Sequence, residues 1–249
     1  MRETDLKERA RIVAAQRARL QIGQNQATST SRAVFVMRHP LLPAAGLYAI
    51  TDGPRPDLLS AAAAALRGGA VLLQYRDKTE DVTRRRVEAR ALAALCDEAG
   101  TLFVVNDDVE LALACGARAV HLGESDTDVS TARRRLGNDA VIGVSCYDDL
   151  DRARRLAAAG ADYLAFGAFF PSLTKPQARR ASIDLLRAGT ELGVPLVAIG
   201  GIRPDNAALL IEAGANYLAV ISEVFDQPDI RAAARCFASL FPASRNISA

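Results

Sequence analysis

From Leu47 to Phe241 the chain repeats one phrase eight times, at about 24 residues per unit: an apolar strand-like run, then an Ala-rich or Arg-rich amphipathic segment. The runs predict strands at Leu47–Asp52, Val71–Arg76, Leu102–Asp107, Ala119–Gly123, Val141–Ser145, Tyr163–Ala168, Leu196–Gly200 and Tyr217–Ser222. They lack polar alternation, as expected of parallel strands covered on both faces. The segments Asp57–Arg67, Val82–Ala99, Asp148–Ala159, Ser182–Leu192 and Asn206–Ala213 read as helices. Gly68, Gly100, Gly116, Gly160, Gly193 and Gly214 stand where left-handed helix ends are expected. Eight such units with short connections close on themselves, so the expected fold is α/β, a (β/α)8 TIM barrel. The barrel is expected over residues 46–243, with 244–249 as a tail.

Residues 1–45 stand apart: charged residues, then the polar tract Gln24–Ser31. Thr4 suits the cap of a helix reaching about Gln21, so this N-terminal extension reads as a helical arm or a partly disordered segment. Met37, just upstream of the first strand, is a second candidate start. The net charge of +2 arises from 31 basic and 29 acidic residues without a basic stripe, which argues against nucleic acid as a partner. No apolar run reaches the roughly 18 residues that span a bilayer. The four cysteines form no C-x-x-C pair and, with only His39 and His121, no zinc site of usual spacing. A cytoplasmic location with reduced thiols is the simplest expectation, and a homo-oligomer is left open.

In such a barrel the polar residues at the C-terminal strand ends form the site, which makes those positions informative. Strand 2 ends in Gln74-Tyr75-Arg76-Asp77-Lys78. Two-residue periodicity puts Gln74, Arg76 and Lys78 on one side, a set suited to an anion. The alternative is a solvated loop in which Arg76 and Lys78 pair with Asp77 and Glu80. Strand 3 ends in Asn106-Asp107-Asp108, and strand 4 runs through His121 to Glu124 and Asp126. Carboxylates from neighbouring strand ends suit one Mg2+, whose protein ligands are commonly one or two acids beside substrate phosphate oxygens. Equally, Asp107 or Asp108, and Asp126 or Asp128, read as helix caps. A metal among cations makes sense only with a polyanion between them.

Strand 7 leads into Gly200-Gly201-Ile202-Arg203-Pro204, where two glycines permit close backbone approach and the helix start offers amides to a phosphate. Ser222 ends strand 8. The longer loop after strand 6 carries Ser172, Thr174 and Lys175, then the basic pair Arg179-Arg180. Ser145 ends strand 5 with no base at a spacing that would make it a nucleophile, so it reads as a hydrogen-bond donor. His121, a lone ring in an apolar segment, reads as a core or rim residue. Together these give two anion subsites and two phosphorylated ligands, one of them a diphosphate.

Gln74–Lys78, Val105–Asp108, His121–Asp126, Gly143–Ser145, Phe170–Lys175, Ala198–Ile202 and Val220–Ser222, in unbroken order, resemble the thiamine-phosphate synthase family. The resemblance implies a transferase of thiamine biosynthesis. It would join 4-amino-2-methyl-5-(diphosphooxymethyl)pyrimidine to a thiazole phosphate, carboxylated or not, releasing diphosphate. It implies that Gln74, Arg76, Lys78, Asn106, Ser145 and Lys175 hold the pyrimidine diphosphate, that Tyr75 and Asp77 between them are substrate-binding too, and that Asp107 and Asp126 ligate Mg2+. Ser172, Thr174, Gly201, Ile221 and Ser222 would hold the thiazole phosphate. Diphosphate departure would leave a pyrimidine cation for the thiazole nitrogen to attack, with Arg76, Lys78, Lys175 and Ser145 as the catalytic set and no protein nucleophile. Glu124 and Glu223 depart from the pattern, the first adding a charge near the metal and the second a carboxylate near the thiazole phosphate. Two other readings are a thiazole tautomerase-like isomerase, which needs no diphosphate subsite, and a non-catalytic phosphate-binding barrel.

Overall fold

The structure of the protein, a computed structural model, describes residues 38–171 and 179–241. Most of the expected N-terminal arm and the C-terminal tail lie outside the described residues. Eight parallel strands close a barrel in consecutive order. They are β1 (Gly46–Ile50), β2 (Ala70–Tyr75), β3 (Leu102–Asn106), β4 (Ala119–Leu122), β5 (Val141–Tyr147), β6 (Tyr163–Gly167), β7 (Leu196–Ile199) and β8 (Tyr217–Val220). The helices are α1 (Leu58–Arg67), α2 (Val82–Ala99), α3 (Val109–Cys115), α4 (Val129–Leu136), α5 (Leu150–Ala158), α6 (Ile183–Gly189), α7 (Ala207–Glu212), α8 (Ser222–Phe225) and α9 (Ile230–Ala238). The barrel expected from the eightfold repeat is therefore the fold. All eight expected strands occur, most ending a residue or two earlier; β5 instead runs on to Tyr147 through an irregular register against β6.

Strand periodicity divides the apolar residues into two separate cores. Leu47, Leu73, Phe103, Val105, Val120, Ile142, Leu164, Phe166 and Leu218 point outward and pack beneath the helices. Tyr48, Ile50, Leu72, Val104, Val141, Tyr163, Val197 and Tyr217 fill the interior. Leu42, from the end of the segment read as an extension, packs into this interior core, and the Tyr217 hydroxyl donates to the Pro43 carbonyl. Residues 38–45 thus belong to the barrel's packing.

Acids start many of the helices: Asp81, Asp108, Asp128, Asp149 and Asp229 each accept a hydrogen bond from a first-turn amide, and Ser182 does so for α6. Gly100, Gly116, Gly160, Gly193 and Gly214 have the expected positive φ. Gly68 does not: its φ is −79°, and the left-handed residue is Gly69. Gly68 is needed for another reason, since a Cβ there would stand 2.5 Å from the Cβ of Ala234 on α9. Among the described residues no helix is long and apolar enough to cross a membrane.

Candidate active site

The C-terminal strand ends open into a cavity of about 640 Å3. Gln74, Arg76, Asn106, Ser145, Gly201, Ile221 and Ser222, all singled out in the sequence, line it. Ser172, Thr174 and Lys175 lie outside the described residues. Ser222 opens the short helix α8 rather than closing β8. At Gly201, with φ of 64°, a Cβ would overlap the carbonyl oxygens of Phe170 and Pro171, so the double glycine is required by the chain leaving β6 as it passes β7.

The end of β2 splits by parity. Gln74 and Arg76 face the cavity, whereas Tyr75 and Asp77 turn toward α2. Tyr75 donates to Glu88 Oε2 at 2.6 Å, and buried Asp77 meets the Arg84 guanidinium at 2.7 Å. Strand alternation places these two side chains in packing, which corrects the expectation that the whole Gln74–Lys78 run presents side chains to a ligand. Nor do Arg76 and Lys78 form the solvated pairs with Asp77 and Glu80. Arg76 is ion-paired to Asp52, and Lys78 Nζ lies 2.9 Å from Asp107 Oδ2.

The competing roles of the four acids after β3 and β4 separate cleanly. Asp108 accepts from the Leu111 amide at 2.8 Å and Asp128 from the Thr131 amide at 2.9 Å, so these two cap α3 and α4. Asp107, at φ of 62°, and Asp126 remain uncommitted to any helix, and their carboxyl groups lie within hydrogen-bond reach of each other. Burial raises the Asp126 pKa and Asp107 adds to the rise. Burial also acts to raise that of Asp107, but the bond with Asp126 and the Lys78 ammonium outweigh it and hold Asp107 low. Two carboxyl groups this close beside an ammonium form a site whose negative charge suits a divalent cation. Among the described residues no cluster of three or more His, Cys, Asp or Glu forms a closed metal cage, so a cation on this pair needs further ligands.

Reading the sequence missed the tyrosines. Tyr48 lines the cavity, and its hydroxyl accepts from Gln74 Nε2 at 2.6 Å. Tyr163 reaches across β5, where Gly143 leaves the space its ring fills. Its hydroxyl lies 2.8 Å from that of Tyr48 and 3.1 Å from His121 Nδ1, and His121 Nε2 lies 2.9 Å from Ser145 Oγ. Burial pushes the His121 pKa down to about 4, so the ring is neutral near pH 7. The available signal was a phenol at an inward position in an otherwise apolar strand.

Both unexpected carboxylates have cationic neighbours. Glu124 lies 2.9 Å from Arg179, whose guanidinium sits 4.4 Å over the Tyr147 ring, and 4.0 Å from Arg152. Glu223 lines the cavity with Arg203 and acts on that guanidinium electrostatically.

Comparison with known proteins agrees with this geometry. Residues 47–224 match the family described as thiamine monophosphate synthase. The chain is similar to the thiamine-phosphate synthase of Halorhodospira halophila, 57% identical over 202 residues that make up 81% of this chain and 96% of the relative. The corresponding protein of Thioalkalivibrio sulfidiphilus is 54% identical over 200 residues, 79% of this chain and 95% of that one. Among solved structures, a thiamine phosphate pyrophosphorylase from Pyrococcus furiosus superposes with a TM-score of 0.72 at 34% identity, covering 79% of this chain and 95% of its own.

Proposed function

The chain belongs to the thiamine monophosphate synthase family and is a transferase of that kind, and from this premise we propose how its residues divide the reaction. The substrates are a pyrimidine diphosphate and a thiazole phosphate. Gln74, Asn106 and Ser145 orient the pyrimidine diphosphate, and Arg76 and Lys78, with Lys175, meet the charge that grows on the departing diphosphate. Gly201, Ile221 and Ser222, with Ser172 and Thr174, hold the thiazole phosphate in the sector after β7 and β8. Phosphates are commonly bound there in barrels of this kind. The pyrimidine cation left by diphosphate departure is then attacked by the thiazole nitrogen, which requires donors fixed in place before the charge appears but no protein nucleophile.

The observation that carries this reading is the acid pair Asp107 and Asp126, freed from capping by Asp108 and Asp128 and set against Lys78. These two acids would hold Mg2+, which when bound supplies Lewis-acid charge to the diphosphate oxygens. The upward shift of the Asp126 pKa, caused by burial and by the neighbouring Asp107 carboxylate, supports the assignment, because two acids set this close favour a cation between them.

The test is to incubate purified protein with Mg2+ and both substrates and measure thiamine phosphate and diphosphate. Both products in equal amounts are expected. Isomerised thiazole without coupling would establish a tautomerase-like activity instead, and tight binding without product would establish a phosphate-ligand sensor.

A further inference from the structure

The interior of the barrel contains an unbroken line of polar contacts whose inner members, Tyr48, Tyr163 and His121, the coupling reaction as described so far does not use. It runs from Gln74 on β2 to Tyr48 on β1, across the barrel to Tyr163 on β6, then to His121 on β4 and Ser145 on β5. The successive distances are 2.6, 2.8, 3.1 and 2.9 Å. The rings are held by packing: Tyr163 stacks on His121 at 17° between planes with centroids 5.6 Å apart, and meets Tyr48 edge-on at 86°.

Each inner member of this line has one proton to give along it: one phenol hydrogen on Tyr48, one on Tyr163 and one N–H on neutral His121. The contacts can therefore all be satisfied only when every donor points the same way. With Gln74 Nε2 on Tyr48, Tyr48 donates to Tyr163, Tyr163 to His121 Nδ1, and His121 Nε2–H to Ser145. The Ser145 proton is then left over for the cavity that Ser145 lines. With the amide turned over, every bond reverses and Ser145 spends its proton on His121, presenting only lone pairs. Among the described residues nothing donates to Gln74 Oε1, so a bound ligand decides which way the amide lies.

We propose that Tyr48, Tyr163 and His121 are positioning residues forming a directed hydrogen-bond relay, through which the group a ligand offers to Gln74 sets whether Ser145 is a donor toward an anion. This deepens the function proposed above and rests on its placement of the pyrimidine at Gln74 and the diphosphate near Ser145. An exocyclic amine on the heterocycle donates to Gln74 Oε1, keeps Nε2 on Tyr48 and so equips Ser145 for a diphosphate oxygen. A ring carbonyl in the same place turns the amide and withdraws that donor. The relay thus couples recognition of an aminopyrimidine to recognition of its anionic tail, and selects against an oxopyrimidine twice.

The first test is made with the pyrimidine diphosphate bound and thiazole phosphate withheld, so that no coupling occurs. Long-range 1H–15N NMR of the full chain, which has only two histidines, His39 and His121, reads the His121 tautomer directly. The Nε2–H form is expected, and the Nδ1–H form overturns the proposal. The second test uses Tyr163→Phe, which keeps the ring and removes the relay. We expect loss of the single tautomer and a fall of about tenfold in kcat/KM for the pyrimidine diphosphate, as for one lost hydrogen bond to a charged group. The KM for thiazole phosphate should stay within about twofold. The preference for the 4-amino over the 4-oxo pyrimidine diphosphate, measured by competitive inhibition, should shrink by a similar factor. Tyr217→Phe, an interior phenol bonded to the Pro43 carbonyl instead, should change none of these. If Tyr163→Phe does not fold, Tyr48→Phe breaks the relay one link earlier. Wild-type tautomer and wild-type amino preference in a folded relay variant would overturn the inference. A wild-type protein that forms no thiamine phosphate would instead refute the proposed function, leaving the tautomer to decide the relay.

Discussion

On the outward face of the eight strands the side chains are apolar and lie beneath helices, apart from the Tyr75 hydroxyl. The inward face of the same strands carries three tyrosines, a glutamine and a histidine, four of which meet tip to tip. The two faces are therefore specified differently. The outer one is held by area and volume, and tolerates apolar exchanges of similar size. The inner one is specified by a count of donors and acceptors, where removing one atom leaves its partner unsatisfied at a cost of about 1–3 kcal/mol.

That contrast can be broken from either side. Removing outward Phe166, fully buried beneath the helices, should destabilise the fold by about 3–5 kcal/mol in urea denaturation while kcat of the folded fraction stays unchanged. A large loss of kcat there would mean the faces are not separable. At the inner mouth, Arg76→Ala and Asp107→Ala should each lower kcat/KM at least about a hundredfold with little change in melting temperature, since each removes charge complementarity at the reacting group. Near-normal turnover would remove that residue from the chemistry. Asp108→Ala sharpens the comparison by one residue: losing the α3 cap should cost about 1 kcal/mol of stability and leave kcat within about twofold.

The smallest effect is a pH dependence. His121 folds with its pKa lowered to about 4 from an ordinary 6.5, so the unfolded chain takes up a proton that the folded one refuses. Its contribution is complete above pH 6.5 and is lost as pH falls toward 4. Thermal melts in chelator should show that His121→Gln flattens the wild-type slope in this window. An unchanged slope would mean the ring is not desolvated.

The fold was legible because its signal is redundant: eight strand-like runs, each ended by turn chemistry, leave little choice of closure. Gln74 and Arg76 were legible for the same reason, since period two dictates which side chains share a face. That rule also turns Tyr75 and Asp77 away, a consequence masked when the motif is carried over as one block. The roles of Asp107, Asp108, Asp126 and Asp128 were not separable from spacing, because cap and ligand use the same side chain and differ by only one or two residues of turn geometry. Tyr48 and Tyr163 were illegible for a different reason. Their hydroxyls matter only in relation to partners 26 to 115 positions away, and a linear pattern contains no record of such meetings.

The backbone at Asp107 has a consequence for which sequences can drift through this site. At φ of 62° most side chains are strained, and Asn and Asp are the common non-glycine occupants. Lengthening the acid to Glu at this position is therefore opposed by both the backbone and the altered reach. Asp126, which is not among the positive-φ residues, faces only the second obstacle. Homologous chains exploring longer acids should find Glu at 126 sooner than at 107, and libraries built to retune the cation should begin there.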